Sequence, residues 1–172
     1  MVAVMSSDRI EGATMLIGFI GLGNVGAKLA GSLLRNGFDL VVHDLDKGVA
    51  QPLLEGGATW ANSAREMAMS CEVVVTCLPS PTACSQVLEA DDGLIAGFAS
   101  GGGEGKVWLE MSTTDEAEVR RMASLVQATG AMSVDCPVSG GCHRAATGNI
   151  AIFAGGERAA FETVLPVLSA MG

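Results

Sequence analysis

A strand, a glycine-rich turn and a helix follow one another near the start of the sequence, and this unit constrains the fold most strongly. The apolar run Met15–Ile20 is typical of a buried strand, and it leads directly into the turn Gly21–Gly26. A helix is predicted over Asn24–Asn36, because apolar residues recur there at four-residue spacing and would face a sheet. The sequence Asn36-Gly37 then supplies the residues that commonly end a helix.

The spacing of the three glycines indicates a turn that holds a diphosphate. Gly21 allows a tight turn, Gly23 lets the backbone approach a ligand, and Gly26 lets the helix pack closely on the strand. The chain has 23 glycines, so this spacing is informative only because a strand precedes it and a helix follows it. The predicted cofactor-binding residues of this turn are Gly21, Leu22, Gly23, Asn24, Val25 and Gly26.

An acidic residue ends the second predicted strand, Leu40–His43, at the distance expected for a residue that binds ribose. The Asp44 carboxylate can accept hydrogen bonds from both ribose hydroxyls of an adenosine, and it would repel a 2′-phosphate. NAD is therefore predicted in preference to NADP, with Lys47 as the nearby cation that could weaken the preference. The alternative for Asp44 is an ordinary turn residue.

The remaining sequence alternates between short apolar runs and helical segments, which is typical of parallel βαβ units. It predicts an α/β fold: a doubly wound, mostly parallel Rossmann sheet with helices on both faces. The further predicted strands are Glu72–Cys77, Lys106–Glu110, Met132–Cys136 and Asn149–Ala154. The further predicted helices are Lys47–Glu55, Ser63–Ser70, Thr82–Glu89, Thr113–Thr129 and Glu157–Met171.

Four local features refine these boundaries. Capping boxes are expected where Ser63 precedes Glu66 and where Thr113 precedes Glu116. The glycine-rich segment Ala99–Gly105 is expected to be a surface loop, and Pro166 is expected to break the last helix.

Composition excludes several classes of protein. A net charge of −9 argues against nucleic-acid binding, and no apolar run reaches the length of a membrane helix. Five cysteines without zinc-type spacing indicate free thiols in a reducing compartment and no metal site. Residues 1–14 resemble neither a secretory signal nor a transit peptide, so they are interpreted as an N-terminal extension of a cytoplasmic protein.

Four ordered motifs resemble the β-hydroxyacid dehydrogenase family, and within it the 3-hydroxyisobutyrate dehydrogenases. They are GFIGLGNVG at Gly18–Gly26, TCLPSP at Thr76–Pro81, EMSTTD at Glu110–Asp115 and DCPVSGG at Asp135–Gly141. The similarity extends over nearly the whole of Met15–Gly172. It implies a small hydroxy acid as substrate and NAD as cofactor.

The resemblance also implies roles for residues outside the first turn. Leu78 and Pro79 would lie against the cofactor, and Thr113 would lie beside the nicotinamide end, although helix capping is the alternative for Thr113. Ser139, Gly140 and Gly141 would bind the substrate carboxylate, with an ordinary glycine-rich turn as the alternative.

No catalytic residue is predicted within the chain. Relatives use a lysine ammonium to exchange the substrate proton, and here Lys28, Lys47 and Lys106 all precede the substrate loop. The resemblance therefore implies a dinucleotide-binding domain over 15–172 that is incomplete at its C-terminal end, with the family lysine beyond Gly172. A C-terminal all-α domain is expected to be absent, and a homo-oligomer is expected only where that domain is present.

Two other functions remain open at this point. One is a module that binds NAD(H) for interaction without catalysis. The other is part of an NADPH-dependent reductase of glyoxylate or succinic semialdehyde, against which Asp44 argues.

Overall fold

A computed structural model describes residues 15–172, so the expected extension over residues 1–14 lies outside the described part. The nine strands of this part are β1 (Leu16–Ile20), β2 (Asp39–His43), β3 (Thr59–Trp60), β4 (Val73–Thr76), β5 (Val107–Glu110), β6 (Met132–Asp135), β7 (Val138–Ser139), β8 (Ala151–Ile152) and β9 (Gly155–Gly156). Seven of them form one sheet in the order β3-β2-β1-β4-β5-β6-β9. The first six are parallel, and β9 pairs antiparallel with β6.

The described residues contain eight α-helices, seven between strands and one after the last strand. They are α1 (Gly26–Arg35), α2 (Gln51–Glu55), α3 (Ala64–Ser70), α4 (Pro81–Glu89), α5 (Leu94–Gly101), α6 (Glu116–Gln127), α7 (Gly141–Thr147) and α8 (Arg158–Met171). A short 3₁₀ turn, Lys47–Ala50, precedes α2.

Helices cover both faces of the sheet, which confirms the predicted doubly wound fold. On β4, Val73 and Val75 belong to a core that includes residues of α1 and α8. Val74 points to the other face, into a core with residues of α3, α4, α5 and α6. The alternation follows from the two-residue repeat of a strand, and it explains why β1 and β4 are apolar along most of their length.

The prediction that Asn149–Ala154 forms a strand of the main sheet is wrong. Its central residues form β8, which pairs only with β7 in a separate two-stranded sheet. The main sheet instead gains Gly155–Gly156 as an antiparallel edge, and Thr59–Trp60 as an unpredicted edge strand at its other end. Two-residue strands carry too little periodicity to be detected from sequence.

The predicted loop Ala99–Gly105 is wrong at its start, because residues 99–101 belong to α5, and correct over residues 102–105. Gly97 faces α3 so closely that an added Cβ would lie 2.6 Å from the Cβ of Ala68. Leu94 and Phe98 of the same helix are fully buried. Burial of these large side chains against α3 therefore outweighs the poor helix propensity of the glycines.

Two helix-end predictions differ from the structure. The first turn of α6 is capped by Asp115, whose Oδ1 accepts from the Glu118 N–H at 3.0 Å, and Thr113 lies outside the helix. Pro166 is exposed inside a continuous α8, where packing of the opposite face holds the helix together across it. The cap at Ser63 is confirmed, since its Oγ accepts from the Glu66 N–H at 3.1 Å. Helix α7, which begins at Gly141, was not predicted.

Candidate functional site

A cleft of about 830 Å³ opens at the carboxyl edge of the sheet, between the segments that follow β1 and β4. These two strands are neighbours, although the chain leaves β1 toward β2 on one side and β4 toward β5 on the other. Parallel sheets bind ligands at such a reversal of strand order, because the loops there diverge and leave a crevice. The volume lies within the usual range for a ligand pocket, roughly 300–1,000 Å³.

The turn from β1 to α1 forms one wall of the cleft and has the predicted form. Gly21 has φ of 96°, and its N–H donates to the His43 carbonyl at 3.1 Å. A Cβ on Gly21 would collide with the Cys77 carbonyl, and a Cβ on Gly26 would collide with the Gly21 carbonyl oxygen. Both positions therefore require glycine. Gly21 needs it for its positive φ and for space, whereas Gly26 needs it for space alone.

The start of α1 is open toward the cleft and can hold an anion. Its N-cap, Val25, provides no side-chain acceptor, and the first turn contains no acidic residue. The first N–H groups of a helix lack intrahelical partners and lie at the positive end of the helix dipole. A Cβ added at Gly23 would meet no atom within 4 Å, so the approach to this turn is clear. These features fit a diphosphate.

Asp44 is tied to this turn by its own hydrogen bonds. Its Oδ2 accepts from the Leu22 N–H at 2.7 Å, and its Oδ1 accepts from the Asp46 N–H at 3.0 Å. Because a carboxylate has about four acceptor sites, two remain for ribose hydroxyls. Leu22 itself is buried and does not line the cleft, so the turn presents five of its six predicted residues.

The side of the cleft near Asp44 carries little positive charge. The Lys47 ammonium lies 5.3 Å from the centre of the Trp60 ring. His43 is half-buried, and its Nδ1 lies 2.9 Å from the Ala61 carbonyl oxygen. Neither of these contacts directs a positive charge toward the position where a 2′-phosphate would lie.

The segments after β4 and β5 form the opposite wall. Leu78 and Pro79 line it, as does Thr113, in agreement with the predicted positions. Helix α4 also lines the cleft, which the sequence did not predict; Ala83, Gln86 and Val87 of the helix and Ala90 directly after it face the cleft. Their spacing of three and four residues is the signal that could have identified this helix face.

A buried polar cluster supports this wall from below. The Glu110 side chain is fully buried at the end of β5, and its Oε2 accepts from the Thr76 hydroxyl at 2.9 Å. Its Oε1 accepts from the Ser112 N–H at 2.5 Å. The Ser112 Oγ in turn accepts from the Leu78 N–H at 2.8 Å, so the cluster joins the two segments. The sequence motif contained Glu110, but nothing in the pattern indicated its burial.

Burial governs the ionisation of this cluster. It raises the pKa of the Glu110 carboxyl above its ordinary value, although hydrogen bonds from Ser112 and Thr76 act in the opposite direction. Burial also raises the pKa of the Cys77 thiol to about 12 and that of the Cys84 thiol to about 11. Both thiols are therefore neutral at physiological pH and cannot act as nucleophiles.

The predicted substrate residues lie at one end of the cleft and only partly in it. Gly141 lines the cleft, whereas Ser139 and Gly140 do not. Ser139 is exposed on β7, paired with Ala151 of β8, and Gly140 has φ of 136° immediately before α7. Ser139, Gly140 and Gly141 are consecutive, so they form one segment beside the cleft.

Membrane-spanning helices and metal-holding clusters are both absent from residues 15–172. No helix in this range is long and apolar enough to cross a membrane. Within the same residues, no group of three or more His, Cys, Asp or Glu side chains is arranged to hold a metal. All five cysteines are free; three of them are buried, Cys77 is partly buried and Cys142 is exposed.

Comparisons with known proteins agree with the geometry of the site. Residues 16–172 match the family described as the NAD binding domain of 6-phosphogluconate dehydrogenase. An NAD-dependent L-serine dehydrogenase of Pseudomonas aeruginosa is 36% identical over 156 residues, which are 91% of this chain and 51% of that protein. A probable mitochondrial 3-hydroxyisobutyrate dehydrogenase of Dictyostelium discoideum is 36% identical over 91% of this chain and 47% of that protein.

A solved structure of 3-hydroxyisobutyrate dehydrogenase from Salmonella typhimurium superposes with a TM-score of 0.83 at 33% identity. The match covers 92% of this chain and 54% of that chain, so the chain spans about half the length of these relatives. The resemblance to hydroxyacid dehydrogenases is confirmed. The chain therefore belongs to the family of NAD-binding Rossmann domains that is named for 6-phosphogluconate dehydrogenase and includes its 3-hydroxyisobutyrate dehydrogenase homologues.

Proposed function

We propose that residues 15–172 bind NAD in the cleft as the cofactor-binding half of an oxidoreductase that acts on a small 3-hydroxy acid. The observation that carries the proposal is the open turn at Gly23 with the Asp44 carboxylate tied beside it. The turn matches the needs of a diphosphate, and the carboxylate matches those of an unphosphorylated ribose. NAD is accordingly proposed in preference to NADP.

Each wall of the cleft has a proposed task. The N–H groups at the start of α1 bind the diphosphate, while Leu22 donates to Asp44 and so orients its carboxylate. Leu78, Pro79 and Thr113 enclose the nicotinamide end. These residues would hold the nicotinamide, which would supply hydride transfer to or from the CH–OH carbon of the substrate. The apolar part of this wall excludes water from that transfer.

The substrate loop Ser139–Gly141 is proposed to bind a carboxylate. Two successive glycines have positive φ, Gly140 and Gly141, and Gly141 lines the end of the cleft. Concave sets of backbone N–H groups bind anions without a charged side chain. Small hydroxy acids carry this group at one end and the reacting hydroxyl at the other.

The group that exchanges the substrate proton is proposed to come from outside residues 15–172. None of the three lysines lines the cleft, and the Lys106 ammonium donates to the carbonyls of Ala68 and Met69. The same observation favours a second candidate, a module that binds NAD(H) without catalysis.

The proposed active protein includes the helical domain and lysine of its relatives. The five free thiols favour a reducing, cytoplasmic location for it.

Replacement of Asp44 by Ala is expected to weaken NADH binding by about 1–2 kcal/mol, because charge-assisted hydrogen bonds to ribose are lost. It should weaken NADPH binding less, since the repulsion of the 2′-phosphate is removed as well. Fluorescence titrations of both cofactors against the unmutated protein, Asp44→Ala and Asp91→Ala measure this. Asp91 is an exposed acid outside the cleft lining, so it controls for net charge. Equal affinities of the unmutated protein for NADH and NADPH would refute the preference.

A further inference from the structure

Glu110 is the one charged residue within residues 15–172 whose side chain is fully buried, and the proposed function gives it no task. It ends β5, directly below the segment that enters the cleft at Ser112 and Thr113. A buried carboxyl is costly unless donors surround it, so its retention needs a physical reason.

The hydrogen bonds of Glu110 join the two segments of one cleft wall. Ser112 donates its N–H to the carboxyl and accepts from the Leu78 N–H through its own hydroxyl oxygen. The Cys84 thiol, on α4, donates to the same hydroxyl oxygen at 3.4 Å. Leu78 and Ser112 line the cleft, and Glu110 does not. The carboxyl therefore acts on the cleft only through its neighbours.

We propose that Glu110 is a positioning residue of this cleft: through Ser112, its carboxyl holds the segments after β4 and β5 in the arrangement that receives the nicotinamide end. The inference rests on the proposed function, because it assigns a task within cofactor binding. It goes beyond that function by making cofactor affinity depend on a residue that never touches the cofactor.

The chemistry of the neighbours requires a carboxyl at this position. Ser112 presents an N–H that can only donate, and Thr76 donates its hydroxyl hydrogen while accepting from the Trp108 Nε1–H at 2.9 Å. A carboxylate accepts from both at once. The amide of a Gln would place an NH₂ group against one of these donors and leave a buried hydrogen bond unmade.

The titratable groups that face Glu110 come from three elements. Cys77 follows β4 and Cys84 lies on α4, both as neutral thiols, and Asp135 is the register partner of Glu110 on β6. Asp135 is only partly buried, and burial raises its pKa also. Replacing Asp135 by Asn is therefore the matched control, since it removes the neighbouring carboxyl and leaves the Ser112 link intact.

Trp108 provides a direct optical report on this cluster. Its indole donates to Thr76, which donates to Glu110, so a change in Glu110 ionisation alters the environment of the indole. The chain has two tryptophans, and Trp60 lies outside the cleft lining. A Trp60→Phe background therefore isolates the emission of Trp108 without changing Glu110.

The test measures NADH affinity in the unmutated protein, Glu110→Gln, Ser112→Ala, the double variant and Asp135→Asn. Glu110→Gln is expected to bind NADH about tenfold more weakly, the equivalent of one unmade buried hydrogen bond. The double variant should bind as weakly as Ser112→Ala alone, because both changes break one link. Asp135→Asn should bind within twofold of the unmutated protein.

The pH dependence separates positioning from a purely structural role and needs no Glu110 variant. In Trp60→Phe, the emission of Trp108 and the NADH affinity should change together over one pH range above 4.5, the ordinary pKa of Glu. Coincident midpoints support the proposal. Trp60→Phe protein that binds NADH with no such coincidence, or Glu110→Gln that binds normally, overturns the positioning role while the proposed function stands. Folded unmutated protein that binds no NADH overturns both.

Discussion

Replacement of Gly26 by Ala is expected to lower the free energy of unfolding by about 2–3 kcal/mol and to abolish cofactor binding. The added Cβ would collide with the Gly21 carbonyl oxygen, and it would also lie 3.3 Å from the Phe19 ring. Backbone cannot rotate away as a side chain can, so α1 has to shift relative to β1. That shift also moves the N–H groups that face the cleft. The loss of stability and the loss of cofactor binding therefore have the same cause, the displacement of α1.

Gly31 in the same helix provides the matched control. A Cβ there would lie 3.3 Å from the end of the flexible Arg35 side chain, with no backbone contact within 4 Å. Gly31→Ala is therefore expected to raise stability by up to about 1 kcal/mol through helix propensity alone. Urea denaturation of both variants measures the difference. A Gly26→Ala protein as stable as Gly31→Ala would show that the close approach of α1 to β1 is not needed.

Replacement of Gly23 by Ala is expected to leave the fold intact and to weaken NADH binding at least about a hundredfold, or roughly 3 kcal/mol. No atom lies within 4 Å of the added Cβ, so the folded protein accommodates it. The methyl group would project into the approach to the turn, where a diphosphate has to contact the backbone N–H groups.

Two measurements on Gly23→Ala separate binding from folding. Urea denaturation should give a free energy of unfolding within about 0.5 kcal/mol of the unmutated value, as for other substitutions without contacts. Titration with NADH should show the loss of affinity. If Gly23→Ala binds NADH as well as the unmutated protein, the diphosphate does not lie on this turn.

The central strands and the first turn could be predicted because local sequence determines them. β1, β2, β4 and β5 are mostly apolar, since both of their faces are covered. The tight turn at Gly21 and the close approach at Gly26 follow from the glycine spacing once a strand and a helix flank them. Asp44 follows from its position after the second strand, and its carboxylate indeed lies beside the turn.

The parts that sequence could not predict depend on tertiary contacts. Helix α5 is glycine-rich, and it forms because Leu94 and Phe98 are buried against α3. Thr113 matched a capping pattern, but the course of the chain after β5 places Asp115 at the start of α6 instead. The burial of Glu110 depends on strands distant in sequence, and a motif cannot show how deeply one of its residues lies.

Calorimetric titration of the unmutated chain with NADH, with Gly23→Ala as the matched blank, tests the central claim most directly. The account predicts saturable heat for one site per chain in the unmutated protein and its loss in Gly23→Ala. Unmutated protein that gives no heat with NADH or NADPH, while its circular dichroism shows a folded α/β domain, would contradict the account.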